Sequence, residues 1–113
     1  MSRLVSLRCG KGTRLNRLMR GGWVHFMTNR RNGILYVGVT SNLPRRAFEH
    51  RQGLIPGFTK RYGLKRLVYC EHYDDIHYAI QREKTIKHWP RAWKVRLIHS
   101  VNPEWADNYD TLI

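Results

Sequence analysis

The sequence predicts one small α/β (α+β) domain. The chain has 113 residues, a length that supports a single hydrophobic core. Three short apolar segments of strand type are bounded by polar turns, and segments with capping residues and helical periodicity lie between and after them. We expect the domain to cover residues 21–113, preceded by a flexible basic extension at residues 1–20.

The charge balance points to a polyanionic partner. The chain has 21 Lys and Arg residues against 8 Asp and Glu, which gives a formal net charge of +13. Phosphates commonly supply the counter-charge of such a domain, so nucleic acid is the first partner to consider, and solvated charge without a specific partner is the alternative. Residues 1–20 contain no acidic residue, which also fits an over-long gene start or an organelle transit peptide.

Several classes of protein are disfavoured by what the sequence lacks. Cys9 and Cys70 do not form a disulfide framework, and we interpret both as incidental. No apolar run reaches the length of a membrane span or forms the core of a signal peptide. There is no nucleotide-binding glycine loop and no zinc-ligand spacing. We therefore expect a cytoplasmic protein with no membrane partner and no small-molecule substrate.

The first predicted element is a β-hairpin. Residues Trp23 to Met27 form a bulky strand, residues 28–33 form a polar loop with an Asn-Gly turn, and residues 34–40 form the second strand. The two-residue period places Tyr36 and Gly38 on one face and Leu35, Val37 and Val39 on the other. Glycine leaves open space beside the phenol, so Tyr36 is either a functional group or ordinary cross-strand packing.

A helix follows, with Ser41 or Asn42 as its N-terminal cap and Gly53 at its end. Leu43, Arg46, Ala47 and His50 share one side at 100° per residue. A guanidinium beside the core-facing stripe needs an anion. For Arg46 that anion is a phosphate or a carboxylate on a neighbouring helix.

Residues 54–65 are predicted to be a loop with one helical turn. Phe58 and Tyr62 alternate there with basic residues, a composition that suits contact with backbone phosphates and exposed bases. The third strand, residues 66–73, has Leu67, Tyr69 and Glu71 alternating with Val68, Cys70 and His72.

The next helix begins after Asp74 or Asp75 and runs to about Trp89. Ile76, Ala79, Ile80 and Ile86 form an apolar stripe, and Glu83 lies near its centre. A carboxylate in that position needs a cation, either a metal ion or a basic side chain. Of the three neighbours Arg82, Lys84 and Lys87, the projection turns the first two to the sides.

The C-terminal part is predicted to contain one more helix, residues 91–99, with Trp93, Leu97 and Ile98 as its apolar side. In the tail, Pro103 is expected in a first helical turn. Trp105, Tyr109 and Leu112 are expected to anchor the tail on the domain.

Tyr36, Arg46, His50 and Glu83 together suit cleavage of a phosphodiester bond. One carboxylate can hold a single Mg²⁺ (or Mn²⁺), which polarises the phosphate and stabilises the leaving 3′ oxygen. Arg46 can neutralise charge that grows on the phosphate in the transition state. Tyr36 or His50 can orient or deprotonate water, and histidine is the easier base because its ordinary pKa is about 6.5.

These residues also carry a resemblance to a known family. Tyr36-Val37-Gly38, then Arg46 and His50, then the segment from Gln81 to Lys87 (QREKTIK), and finally Asn102, resemble the motifs of the GIY-YIG (URI-type) endonucleases, in particular small stand-alone bacterial members. The resemblance implies a three-stranded antiparallel sheet flanked by helices and a one-metal cut in DNA, with DNA repair among the roles it allows. It also implies that Glu83 binds the metal ion and that Asn102 supports the site.

The first half of the family motif differs, because Trp23-Val24-His25 places His25 where the family has tyrosine. We count His25 among the catalytic positions. The alternative is a catalytically weak or inactive nucleic-acid-binding module of the same fold, and a small RNA-binding protein is a third interpretation. The expected substrate is DNA recognised by structure or short context, and a protein partner or dimer is left open. The residues predicted to contact nucleic acid are Arg30, Arg31, Arg45, Lys60, Arg61 and Lys87.

Overall fold

The computed structural model describes residues 7–9 and 20–111. Its strands are β1 (Leu7–Cys9), β2 (Gly22–Thr28), β3 (Leu35–Thr40) and β4 (Arg66–Tyr73). Its helices are α1 (Leu43–Arg51), α2 (Phe58–Arg61), α3 (Ile76–Lys87) and α4 (Arg91–Val101), followed by a 3₁₀ turn at Tyr109–Thr111. None of the described helices is long and apolar enough to cross a membrane.

The strands form one antiparallel sheet in the order β1-β4-β2-β3. The predicted α+β class and the predicted three-stranded sheet are confirmed in β4-β2-β3. The short strand β1 extends that sheet at the free edge of β4. Residues 7–9 therefore belong to the sheet, which corrects the prediction that all of residues 1–20 form a flexible extension. Apart from Arg20, the rest of that segment lies outside the described residues.

The structure also corrects the interpretation of the cysteines. Cys70 is disulfide-bonded, and the residue opposite it in the β1–β4 ladder is Cys9. The interpretation of Cys70 as incidental is therefore wrong. Disulfides persist mainly in oxidising compartments, so the prediction of a cytoplasmic location loses the support that it took from cysteine usage.

The predicted hairpin turn between β2 and β3 is confirmed. Asn32 has φ of 58°, in the left-handed region that asparagine tolerates best after glycine. The N–H of Gly33 donates to the carbonyl of Arg30 at 2.9 Å, and the N–H of Ile34 donates to Asn29 Oδ1 at 3.0 Å. These bonds close the turn and fix the register of the two strands.

A β-bulge changes the predicted alternation of β4. Phe26 of β2 lies opposite Tyr69, but the next residue, Met27, lies opposite Leu67, so Val68 is the extra residue. Leu67 consequently packs with Met27 on one face, while Val68 and Tyr69 both join the other face. Strict alternation along this strand was therefore the wrong expectation.

Two apolar layers cover the two faces of the sheet. On one face α1 packs through Leu43 and Ala47 onto Trp23, Met27, Leu64 and Leu67. On the other face α3 and α4 pack onto the sheet, and the buried residues there include Val24, Phe26, Val37, Ala79, Ile86, Ile98 and Trp105. Helices on both faces bury the sheet, as expected for a layered α+β domain.

The C-terminal predictions are partly confirmed. Ile98 and Trp105 are fully buried, and Tyr109 packs against the core from a half-buried position. Trp93, predicted to lie on the apolar side of α4, is 49% exposed, so that assignment is wrong. Pro103 lies in a turn and not in a helix. Leu112 lies outside the described residues.

Candidate active site

Two neighbouring strands bring His25 and Tyr36 to the same face of the sheet. His25 lies opposite Gly38 in the β2–β3 ladder, and Tyr36 is two residues before that glycine. A Cβ atom on Gly38 would lie 2.9 Å from Cε1 and Nε2 of His25 and 2.9 Å from Cε2 of Tyr36. Gly38 therefore provides the space in which both rings lie, which confirms the predicted opening beside the phenol.

Helix α1 places His50 over the same opening. Asn42 caps the helix, accepting a hydrogen bond from the N–H of Arg45 at 3.2 Å, and so fixes where the helix begins. The ring centroid of His50 lies 5.6 Å from that of His25 and 5.6 Å from that of Tyr36. The His25 and Tyr36 centroids are 6.3 Å apart. The three rings form a triangle with Gly38 at its base.

Three ring nitrogens of this triangle have no hydrogen-bond partner among the described residues. Both nitrogens of His25 and Nε2 of His50 are buried and make no hydrogen bond within the part of the chain that the structure describes. The other nitrogen of His50, Nδ1, lies 3.1 Å from the hydroxyl of Thr59. Unsatisfied buried polar atoms cost roughly 1–3 kcal/mol each, so their concentration in one place favours a site that binds a polar ligand.

Both histidines of the triangle are held neutral. The pKa of His25 is lowered to about 3, mainly because burial disfavours the charged ring and also because His50, Arg46 and Lys87 add positive charge nearby. The pKa of His50 is lowered by burial and by Arg46, and Glu49 opposes this effect. Near pH 7 both rings are therefore neutral and can accept a proton or a hydrogen bond.

Arg46 lies one helical turn before His50 and is half-buried. Its Nε is 3.4 Å from Oε1 of Glu49, while Arg45 contacts the other oxygen of the same carboxylate at 3.3 Å. The predicted alternative of a salt bridge to a neighbouring helix is not what the structure shows, because the partner is on α1 itself. Pairs of this kind contribute little, so Arg46 can exchange Glu49 for a phosphate at low cost.

Glu83 is buried in the middle of α3, with 8% of its surface exposed. Its Oε2 forms a 2.8 Å ion pair with Nζ of Lys87. Of the three basic neighbours, Lys87 is the one that the helical projection did not turn away from Glu83. Helix α3 packs on the opposite face of the sheet from α1. Its connection to the triangle is electrostatic, since the charge of Lys87 contributes to the lowered pKa of His25.

The donor set at Glu83 fits a hydrated Mg²⁺. No group of three or more histidine, cysteine or acidic side chains that could hold a metal ion occurs within residues 7–9 and 20–111. Magnesium, however, is often held by only one or two carboxylates and keeps several waters. The Glu83 carboxylate can serve in this way if Lys87 yields its position.

Asn102 is not part of the triangle. Its buried side-chain amide donates to the carbonyls of Val68 and Ala106, each at 2.9 Å, and its Oδ1 accepts from the N–H of Ala106 at 3.0 Å. These three bonds hold the chain that follows α4 against β4. The structure thus places Asn102 in a supporting position on the α4 side.

The side chains predicted to contact nucleic acid are mostly at the surface. Arg31 pairs with Glu104 at 3.7 Å, and Lys87 is half-exposed beside Glu83. Exposed positions are also occupied by Arg30, Arg45, Lys60 and Arg61. Sequence reasoning did not single out Thr59, because its contact with His50 depends on how α2 packs against α1.

The structure is thus a small α+β domain with a histidine–tyrosine–arginine group on one face of its sheet and a buried acid on a later helix. Residues 21–96 match the family model of the GIY-YIG catalytic domain. The chain belongs to the GIY-YIG family. Members of this family are hydrolases of the nuclease type that act on DNA and generally use divalent metal ions.

Several curated relatives are small proteins, and each match covers a larger share of the relative than of this chain. The UPF0213 protein of Natronomonas pharaonis is 41% identical over 64 residues, which cover 57% of this chain and 75% of that protein. The UPF0213 protein of Clostridium perfringens is 36% identical over 76 residues, 67% of this chain and 81% of that protein. The corresponding protein of Photorhabdus laumondii is 30% identical over 76 residues, 67% and 73% of the two chains. No solved structure matches the chain at a significant level.

Proposed function

We propose that this protein is a divalent-metal-dependent endonuclease that hydrolyses phosphodiester bonds in DNA. The observation that carries the proposal is the triangle of His25, Tyr36 and His50 above Gly38. Three of its ring nitrogens are buried and make no hydrogen bond to any described residue. Arg46 lies beside this triangle and can bind the phosphate. The net charge of +13 supplies the attraction to a polyanion.

His50 is the residue best suited to act as general base. The Thr59 hydroxyl can accept a hydrogen bond from the Nδ1–H of His50, and in that tautomer the lone pair is on Nε2. Because the lowered pKa keeps the ring neutral near pH 7, Nε2 can take a proton from the attacking water. The water oxygen then bonds to phosphorus, the bond from phosphorus to the 3′ oxygen breaks, and the leaving oxygen takes up a proton.

Tyr36 and Arg46 assist the same step in different ways. The Tyr36 ring lies at the edge of His50, so its hydroxyl can orient the water. The Arg46 guanidinium can neutralise the charge that grows on the phosphate oxygens in the transition state. A Mg²⁺ or Mn²⁺ held by Glu83 would polarise a phosphate that reaches both Glu83 and the triangle, and would stabilise the leaving oxygen. The charge of Lys87, the ion-pair partner of Glu83, helps to lower the pKa of His25, which supports the proximity of the two. Asn102 contributes indirectly, through the hydrogen bonds that hold the segment after α4 against β4.

One observation favours the alternative of a binding module without turnover. His25 replaces the tyrosine of the family motif, and only 1% of its surface is exposed. Its ring contacts Tyr36 and His50 at the distances of packed aromatic side chains. A histidine that only fills space would leave the DNA-binding surface intact and remove part of the chemistry.

Nicking of supercoiled plasmid distinguishes the two functions. We expect nicking in Mg²⁺ or Mn²⁺ and none in EDTA, with Arg46→Ala and Glu83→Gln each reducing the rate on the order of 100-fold or more. Arg96→Ala and Asp110→Asn are matched controls at exposed positions and should retain the wild-type rate. If the wild-type rate survives both site substitutions, the assigned site is wrong. If the wild-type protein binds DNA in a salt-sensitive manner and never nicks it, the binding module is correct.

A further inference from the structure

Helix α2 and its C-cap residue, Tyr62, present two aromatic rings to solvent. Phe58 is 48% exposed and Tyr62 is 44% exposed, although large aromatic side chains are usually buried for most of their surface. Their ring centroids are 4.8 Å apart and the ring planes are tilted by 51°. Two exposed rings held together at the two ends of one short helix form an apolar surface that a partner can cover.

The same helix surrounds this aromatic pair with positive charge. A surface concavity of about 650 Å³ is lined by Pro56, Gly57, Phe58, Lys60, Arg61 and Tyr62. Two of these lining residues are basic and none is acidic. The guanidinium carbon of Arg61 lies 5.6 Å from the centroid of the Tyr62 ring. Aromatic faces next to cations suit a flat base attached to an anionic backbone.

A direct hydrogen bond connects this surface to the triangle. Thr59, the residue after Phe58, is buried, and its hydroxyl lies 3.1 Å from Nδ1 of His50. The aromatic pair therefore begins one residue away from a group that contacts the proposed general base. A strand that stacks a base on α2 would carry its backbone phosphates past His50 and Arg46.

We propose that Phe58 and Tyr62 stack an unpaired base of a DNA strand, so that the preferred substrate is DNA with a single-stranded or unpaired segment at the cut. The position of the cut rests on the proposed function, whereas base stacking on α2 does not. In an intact duplex the faces of the bases are covered by their neighbours. Only a base outside the duplex stack can meet the two rings, which is why the surface selects unpaired DNA.

Binding measured without catalysis tests this inference separately from the nuclease. Fluorescence anisotropy in EDTA would compare a 15-nucleotide DNA strand, the same sequence as a blunt duplex, and a duplex with one bulged nucleotide. Phe58→Ala and Tyr62→Ala should each weaken binding of the single strand by roughly 5- to 100-fold, the range found for loss of one base–aromatic stack. Binding of the blunt duplex should change by less than about twofold, since phosphate contacts remain.

Matched variants separate stacking from apolar bulk. Phe58→Leu retains an apolar side chain without a π face and should lose affinity as Phe58→Ala does, whereas Phe58→Trp should retain it. Trp93→Ala is the control, because Trp93 is 49% exposed on α4 and is not among the residues that line the α2 concavity. A strand with 2-aminopurine in place of adenine should change its emission on binding to the wild-type protein and not on binding to the double alanine variant.

Four outcomes of these binding measurements would overturn the inference. Equal loss of single-strand and duplex binding would make α2 a phosphate-binding surface only, and an equal effect of Trp93→Ala would make the change non-specific. Unchanged binding by the double alanine variant would remove the stacking role. Tighter binding of RNA of the same sequence would assign the surface to RNA. A protein that stacks bases as expected but never nicks in Mg²⁺ would refute the proposed function and leave this inference standing.

Discussion

Replacement of His25 by leucine tests the electrostatic account of the site. In the folded protein the pKa of His25 is lowered to about 3, whereas the unfolded chain binds a proton near the ordinary value of 6.5. The neutral ring is thus favoured by folding. The contribution of the neutral ring to the free energy of unfolding is fully present above pH 6.5. It is lost as the pH falls towards 3, because the unfolded state then binds more protons than the folded state. This single group should lower the free energy of unfolding by about 1 kcal/mol at pH 5.5 and about 3 kcal/mol at pH 4.5.

His25→Leu removes the titrating ring, and leucine is of similar size. Its free energy of unfolding should therefore fall less steeply with acid, and the difference from wild type should grow as the pH decreases. At pH 7.5 the variant should be as stable as wild type or more stable, because two unpaired buried nitrogens are removed. Urea unfolding at pH 7.5, 5.5 and 4.5 measures both effects, with His88→Gln as an exposed control. A difference from wild type that stays constant across this range would refute the reasoning.

Three further predictions concern neighbouring residues. Gly38→Ala should destabilise the fold by about 1–3 kcal/mol in urea unfolding, because the new Cβ would press on the His25 ring. The destabilisation should be smaller when His25→Ala is also present. An unchanged destabilisation would place the clash elsewhere. Lys87→Gln should lower the dissociation constant of Mn²⁺ at Glu83 by roughly two- to fivefold, because a half-exposed competing cation is removed. A titration followed by electron paramagnetic resonance measures this constant, and weaker binding would contradict the prediction. The nicking rate should hold its plateau to below pH 6.5, since the base His50 has a lowered pKa, and a decline that begins above that value would exclude it.

The local chemistry of the sequence predicted much of the site. The Asn-Gly turn, the opening at Gly38, the cap at Asn42 and the burial of Glu83 all follow from short-range rules of turns, caps and periodicity. These rules depend on residues within one turn or one strand. They therefore predicted these four local features without knowledge of the tertiary structure.

The features that were missed depend on contacts between distant segments. Strand β1 pairs with a strand about sixty residues later, and nothing in its own three residues distinguishes it from a basic extension. The bulge at Val68 becomes visible only when β4 is aligned with β2. The bond between Thr59 and His50 requires α2 to fold back on α1, which the composition of the loop does not encode.

The treatment of buried polar groups differs between the two faces of the sheet. On the α3 side, the fully buried carboxylate of Glu71 accepts hydrogen bonds from the hydroxyls of Tyr69 and Tyr73, at 3.0 and 2.7 Å, and from Nε of Arg82 at 3.1 Å. That network is satisfied within the protein and has the form of a structural element. On the α1 side, the buried nitrogens of His25 find no such partners among the described residues. Since folding alone can satisfy a buried polar group in this domain, the unsatisfied nitrogens on the α1 face are the reason why we place the proposed phosphate-binding site there.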